Sequence, residues 1–276
     1  MDVSVKTLTA GDRLGEGPVW LADEQALLRV DIAAGEVVRR AAGGNERRRG
    51  LGAPVGFALP AAGGGLVAGV ARALVTFAAY DAPLRTLAAV EPDRPGNRFN
   101  DAACDPRGRL WAGTLSTTRA PGAAALYRVE PGGGPEVALA GATVSNGLDW
   151  DRDATRLYYV DSVTQRIDAI DFDLDRGRLG TRRPFAAVDP ADGLPDGLCV
   201  DADGGMWLAL FGGGAVRRYT PAGRLDAHIA LPVSHPTSLA FGGPGLRDLY
   251  VTSAGPLLRL RPGVAGRAPT PFGAGA

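Results

Sequence analysis

The sequence predicts an all-β protein, a six-bladed β-propeller with four-stranded antiparallel blades. Three observations predict it: a short β-rich segment recurs six times, glycine- or aspartate-rich turns precede most copies, and a further strand pair follows. The recurring segment occupies residues 27–31 (LLRVD), 66–70 (LVAGV), 110–114 (LWAGT), 157–161 (LYYVD), 206–210 (MWLAL) and 249–253 (LYVTS). Steps between copies are 39, 44, 47, 49 and 43 residues, against 46 for one sixth of the 276-residue chain. Explicit turns stand at 105–109 (DPRGR), 151–155 (DRDAT), 201–205 (DADGG) and 242–246 (GGPGL), and these read as hairpin loops. The following strands are clearest at 125–130 (ALYRVE), 166–172 (RIDAIDF) and 215–220 (AVRRYT). Radial closure of such units leaves no long exposed edge. A helical solenoid fails because no 3.6-residue apolar period is sustained, and a sandwich requires no repeat of this length. Residues 1–276 are therefore expected to form a single propeller domain.

Composition narrows the function. Thirty basic residues balance thirty acidic ones, and the only dense basic run is 47–49, so nucleic acid is excluded as a main partner. Two cysteines, Cys104 and Cys199, are too few for a disulfide framework or a cysteine zinc site and are expected as buried free thiols. Residues 61–80 carry one charge, Arg72, but four glycines and that central arginine argue against a membrane span. Residues 1–13 alternate polar and apolar without a secretory apolar run, which points to the cytoplasm. Forty glycines and 21 prolines suit many short strands joined by turns.

The repeat also points to a site. Five positions before each hairpin turn stand Glu16, Val55, Asn100, Asn146, Asp196 and Thr237, five of the six polar. The first strand of each propeller blade lines the central channel, so these positions are expected to converge on one mouth as a ring. Two carboxylates brought together where water is partly excluded repel unless a cation neutralises them. An all-oxygen donor set favours one divalent cation, Ca²⁺, Mg²⁺ or Mn²⁺, with Zn²⁺ also accessible through carboxylates. The competing interpretation is that these residues only cap strand entrances; their recurrence at one position in separate blades weighs against it.

The same residues sit in motifs that resemble the SMP-30/gluconolactonase/LRE family of regucalcin and bacterial sugar lactonases. The motifs are GEGPVW (15–20), NRFND (97–101), DPRGRLWAGT (105–114), SNGLDW (145–150), LPDGL (194–198) and FGGP (241–244). They run in order from about Gly15 to Pro271. The resemblance implies a metal-dependent hydrolase that opens a sugar lactone or related cyclic ester, acting as a monomer or weak homo-oligomer with no membrane partner. It puts the metal on Glu16, Asn146 and Asp196, the general base on Asp196, and substrate binding on Arg98 and Asn100. One departure stands at residues 115–122 (LSTTRAPG), where relatives commonly carry an acidic residue and this chain has none. The stretch 252–258 is also short beside the last-blade loop of many relatives.

Other candidates rank lower. His235 stands two residues before Thr237 and could act as a proton shuttle, whereas His228 reads as an outer-strand residue. Asp101 and Asp149 are candidates for support around the ring. The glycine runs 132–134 and 212–214 lack the Lys-Ser/Thr of a phosphate loop, and Trp20, Trp111, Trp150 and Trp207 read as core between blades. Two alternative functions remain: phosphoester hydrolysis on the same metal, and a non-catalytic propeller that binds a metal or metabolite.

Overall fold

The computed structural model describes residues 3–275. Its strands form six four-stranded antiparallel sheets arranged as a six-bladed propeller. Strand β1 (Lys6–Thr7) belongs to the last blade. Blade 1 holds β2 (Gly15–Leu21), β3 (Ala26–Asp31), β4 (Glu36–Ala41) and β5 (Glu46–Gly50). Blade 2 holds β6 (Val55–Pro60), β7 (Leu66–Val70), β8 (Ala73–Phe77) and β9 (Arg85–Ala89). Blade 3 holds β10 (Asn97–Cys104), β11 (Leu110–Ser116), β12 (Ala124–Val129) and β13 (Pro135–Ala142). Blade 4 holds β14 (Ser145–Trp150), β15 (Arg156–Asp161), β16 (Arg166–Asp173) and β17 (Arg178–Ala187). Blade 5 holds β18 (Leu194–Val200), β19 (Met206–Phe211), β20 (Ala215–Tyr219) and β21 (Leu225–Ala230). Blade 6 holds β22 (Pro236–Gly242), β23 (Asp248–Ser253) and β24 (Leu258–Leu260), completed by β1 through the pairs Lys6↔Arg259 and Thr7↔Leu258. The recurring segments of the sequence are the second strands β3, β7, β11, β15, β19 and β23.

The six first strands pack side by side around the channel, and each carries a register shift at one level. The shifts lie between Glu16 and Val19, Val55 and Phe57, Phe99 and Ala102, Ser145 and Leu148, Pro195 and Leu198, and Pro236 and Leu239. A bulge re-aims the side chains at the break, which is how alternating strands present consecutive residues to the channel. Neighbouring backbones approach closely here. A Cβ on Gly56 would lie 2.4 Å from the Phe99 carbonyl oxygen, and one on Gly147 would lie 2.5 Å from the Leu198 nitrogen. Glycine at these positions lets the blades meet.

The core lies between blades. Trp111 and Trp150 meet edge to face at 6.1 Å across blades 3 and 4, Trp20 stacks on Tyr250 at 5.7 Å, and Trp207 meets Phe241 at 6.2 Å. The turn aspartates are structural anchors: Asp105 and Asp201 each accept an indole N–H, from Trp111 and Trp207 respectively, at 2.9 Å. Each also pairs with an arginine, Arg109 at 2.6 Å and Arg218 at 2.8 Å. After β24 the chain runs as a strap beneath the channel. It touches blade 6 (Gly266 N–H to Leu246 O, 2.8 Å), blade 5 (Ala202 N–H to Ala265 O, 2.9 Å), blade 2 (Phe272 N–H to Pro60 O, 2.8 Å) and blade 3 (Gly273 N–H to Gly108 O, 2.9 Å). Among the described residues no helix is long and apolar enough to cross a membrane.

Candidate functional site

Glu16, Asn100, Asn146 and Asp196 stand at the level of the bulges, on the first strands of blades 1, 3, 4 and 5, and all four are buried. Thr237 occupies the corresponding position in blade 6, but its hydroxyl donates to Gly15 O at 2.5 Å and shares a hydrogen bond with Thr252 Oγ1 at 2.9 Å. It ties blade 6 to blade 1 and leaves the ring. Val55 supplies only apolar wall.

Burial pushes the Glu16 carboxyl well above its ordinary range, and the charges of Asp196 and Asp101 push it further. Asp196 is also raised, by burial and then by Asp101, with the neighbouring Asn146 amide and Arg98 partly offsetting. Asp101, one residue beyond Asn100, is pushed up to about 6 by burial. Three carboxylates face one guanidinium, which leaves two negative charges when all are ionised. A dication would cancel them.

The donor atoms fit such an ion. Five buried side-chain polar atoms lack a hydrogen-bond partner among the described residues, and two of them, Asn146 Oδ1 and Asp196 Oδ1, belong to this ring. The Asn146 amide is oriented by its Nδ2, which donates to Ser162 Oγ at 3.1 Å, so its oxygen is left for a cation. No three His, Cys, Asp or Glu side chains gather in a metal-holding group among the described residues, and the Asn146 amide would add a third oxygen to those of Glu16 and Asp196.

Arg98 and Asn100 form a unit beside the carboxylates. Arg98 Nη1 donates to Phe99 O at 2.8 Å and Asn100 Oδ1 at 2.9 Å, while Asn100 Nδ2 donates to Ser145 O at 2.9 Å. Ser145 in turn accepts from Tyr159 O–H at 2.9 Å. Asn100 therefore spends its amide on holding Arg98 and joining blades 3 and 4. Burial pulls the Arg98 guanidinium below its ordinary value, opposed by the charges of Glu16 and Asp196.

Below the ring lies a chamber of about 250 Å³, lined by Gly17, Asp101 and Ser238 and by the strap at Arg267 and Pro269. Cys104 and Cys199 line it as free, half-buried thiols, and burial raises both above the ordinary thiol range. Asp149 lies in its wall, accepting from Val200 N–H at 2.7 Å and Arg267 Nη2 at 3.1 Å. His235 rests on Phe211 with ring centroids 4.7 Å apart and shares a hydrogen bond with Ser234 at 2.7 Å, while His228 lies on outer strand β21.

Residues 14–255 match the model of the SMP-30/gluconolactonase/LRE-like region. The chain belongs to this family. Regucalcin of Xenopus laevis is 36% identical over 249 residues, 88% of this chain and 83% of the relative. The calcium-binding regucalcin of Agrobacterium tumefaciens superposes with a TM-score of 0.92 at 27% identity, covering 98% of this chain and 97% of that one. A gluconolactonase of Xanthomonas campestris superposes with a TM-score of 0.82 at 25% identity, covering 94% and 90%. Within this SMP-30/gluconolactonase/LRE-like chain, sequence reasoning passed over Ser162 and gave Asp101 only a supporting place. In the column after the ring position, Asp101 and Ser238 stand out from Gly17, Gly56, Gly147 and Gly197. That contrast was the available signal.

Proposed function

We propose that the protein is a divalent-metal-dependent hydrolase opening a sugar lactone or a related cyclic ester. The observation that carries this reading is the pair of buried, partnerless oxygens on Asn146 and Asp196, set among carboxylates whose charges Arg98 balances only in part. Glu16, Asn146 and Asp196 would hold the cation through oxygen, a set compatible with Ca²⁺, Mn²⁺, Mg²⁺ or Zn²⁺. When bound, it supplies Lewis-acid polarisation of the ester carbonyl and charge stabilisation for the developing oxyanion.

The chain's own groups supply the rest. Asp196 is the base that takes a proton from the attacking water, and its carboxylate must be ionised for that role. Arg98, held by Asn100 and the Phe99 carbonyl, aims its remaining N–H donors at substrate oxygens. Water adds to the carbonyl carbon, the ring C–O bond breaks, and the departing alkoxide takes a proton to give a hydroxy acid.

Acid release from a panel of aldonolactones, before and after chelation and with each cation restored, tests the reading. Turnover that chelation abolishes and a divalent ion restores is the expected result. Full activity without metal would overturn it. A metal-dependent thermal shift with no turnover of any lactone would favour a calcium-holding propeller instead, the property named for the Agrobacterium relative.

A further inference from the structure

We infer that the substrate carries a carboxylate, read by Arg98 and drawn in by a basic sector of the mouth between blades 2 and 3. The inference rests on the lactonase reading for its chemistry, but on separate residues for its geometry.

Among the described residues Arg98 donates only through Nη1. Nε and Nη2 have no partner among the described residues and are not among the buried atoms lacking one, so solvent reaches them. Together they form one edge of the planar fork, the edge that takes a carboxylate through two parallel hydrogen bonds. The neighbouring Asn100 and Phe99 contacts fix its direction, so little side-chain freedom is lost on binding.

Three more arginines surround it. Arg72 follows Ala71, whose carbonyl accepts Phe99 N–H at 2.7 Å. Arg94 lies in the turn that leads into β10, where Asn97 N–H donates to Arg94 O at 3.0 Å. Arg119 is exposed in the turn after β11, the strand that pairs Leu115 with Arg98. Arg72 and Arg94 donate to backbone carbonyls, and none of the four arginines forms a salt bridge among the described residues, where most other arginines do. Against them stand the exposed Asp93 and the buried Glu91, whose carboxylate accepts from Asn97, Thr114 and Tyr127. Elsewhere around the mouth stand Asp31 and Asp161, each accepting backbone N–H groups, and Asp189 and Asp192, of which Asp192 is paired with Arg217 at 2.7 Å. Arg98 already counts in the balance of the ring, and within this sector Arg72, Arg94 and Arg119 still outnumber Glu91 and Asp93. The resulting positive field raises the encounter rate of an anion and weakens with salt.

The test compares glucarolactone with gluconolactone, which differ by a carboxylate in place of a terminal hydroxymethyl group. The expected result is a kcat/KM about tenfold higher for the charged lactone at low ionic strength, carried by KM and diminished by salt. Arg98→Met should erase the preference, while exposed Arg119→Gln should lower only its salt-sensitive part. Equal efficiency at every salt concentration overturns the inference. If neither lactone turns over, the hydrolase reading fails, and calorimetric binding of tetrahydropyran-2-carboxylate against tetrahydropyran-2-methanol decides this inference alone. Tighter binding of the carboxylate, lost in Arg98→Met, supports it; equal binding overturns it.

Discussion

At the scale of single residues, the site is defined by charge that the fold leaves unbalanced. Glu16, Asp101 and Asp196 all have raised proton affinity in the folded state, chiefly through burial. A raised carboxyl contributes stability that is fully present below its unfolded value of about 4 and is lost as pH rises through its folded value. Metal-free protein should therefore melt at a lower temperature at pH about 8 than at about 5, with the fall setting in above about 4 and the share due to Asp101 complete once pH has passed about 6. Ca²⁺ should raise the melting temperature more at the higher pH, since it binds the ionised ring. Glu16→Gln should flatten the pH dependence and cut lactone turnover by about two to three orders of magnitude with the fold retained. Scanning calorimetry of the wild type and variant across pH checks both; a variant as pH-sensitive as the wild type would remove Glu16 from the charged ring. Glu16, Asn146 and Asp196 were legible in the sequence because one structural position recurs in every blade. Ser162 was not, because its hydroxyl comes from a short 3₁₀ turn with no counterpart in the repeat column.

At the scale of elements, the first strands do two jobs: they wall the channel and present the ring. Gly147→Ala adds a methyl group 2.5 Å from the Leu198 nitrogen and 2.6 Å from the Asp196 carbonyl oxygen, both backbone atoms that cannot swing aside. Blade 5 must shift, carrying Asp196 with it. The expected outcome is weaker metal binding, read by calorimetric titration, together with a lower melting temperature; unchanged affinity would show that the ring tolerates blade displacement. Trp111→Ala should behave differently, costing about 3–5 kcal/mol in denaturant unfolding while leaving the metal affinity of the folded fraction intact. The second strands were readable because they are apolar and follow marked turns, with β11 and β19 buried along nearly their whole length. The two-residue β1 was not, since Lys6–Thr7 is too short and exposed to carry a periodic pattern and gains its role only by pairing with β24.

At the scale of the whole molecule, closure is achieved twice, once in the sheet of blade 6, where β1 joins β22–β24, and once by the strap beneath the channel. The strap escaped the sequence reading because its residues, rich in glycine, proline and alanine, form no repeat and hold on largely through backbone contacts to distant blades. Arg261 pairs with Asp248 of blade 6 where the strap begins, and Arg267 is the charged anchor farther along, donating to Trp150 O at 2.6 Å and to Asp149 Oδ1 at 3.1 Å. The uncovered quarter of the Asp149 side chain lies in the chamber wall rather than on the outer surface, so burial raises its proton affinity and Arg267 opposes the rise. Removing the arginine alone leaves an acid in an enclosed space without its cation, a loss of about 1–3 kcal/mol. Arg267→Met should therefore lower the unfolding free energy by that amount at neutral pH. The deficit should shrink as pH falls, because protonation relieves the unpaired charge. In an Asp149→Asn background the same substitution should cost less, and the difference between the two backgrounds measures the coupling across strap and channel wall. Urea unfolding of the four proteins of this cycle supplies it; a coupling near zero would mean that the backbone contacts alone hold the strap, with the ion pair contributing nothing to closure.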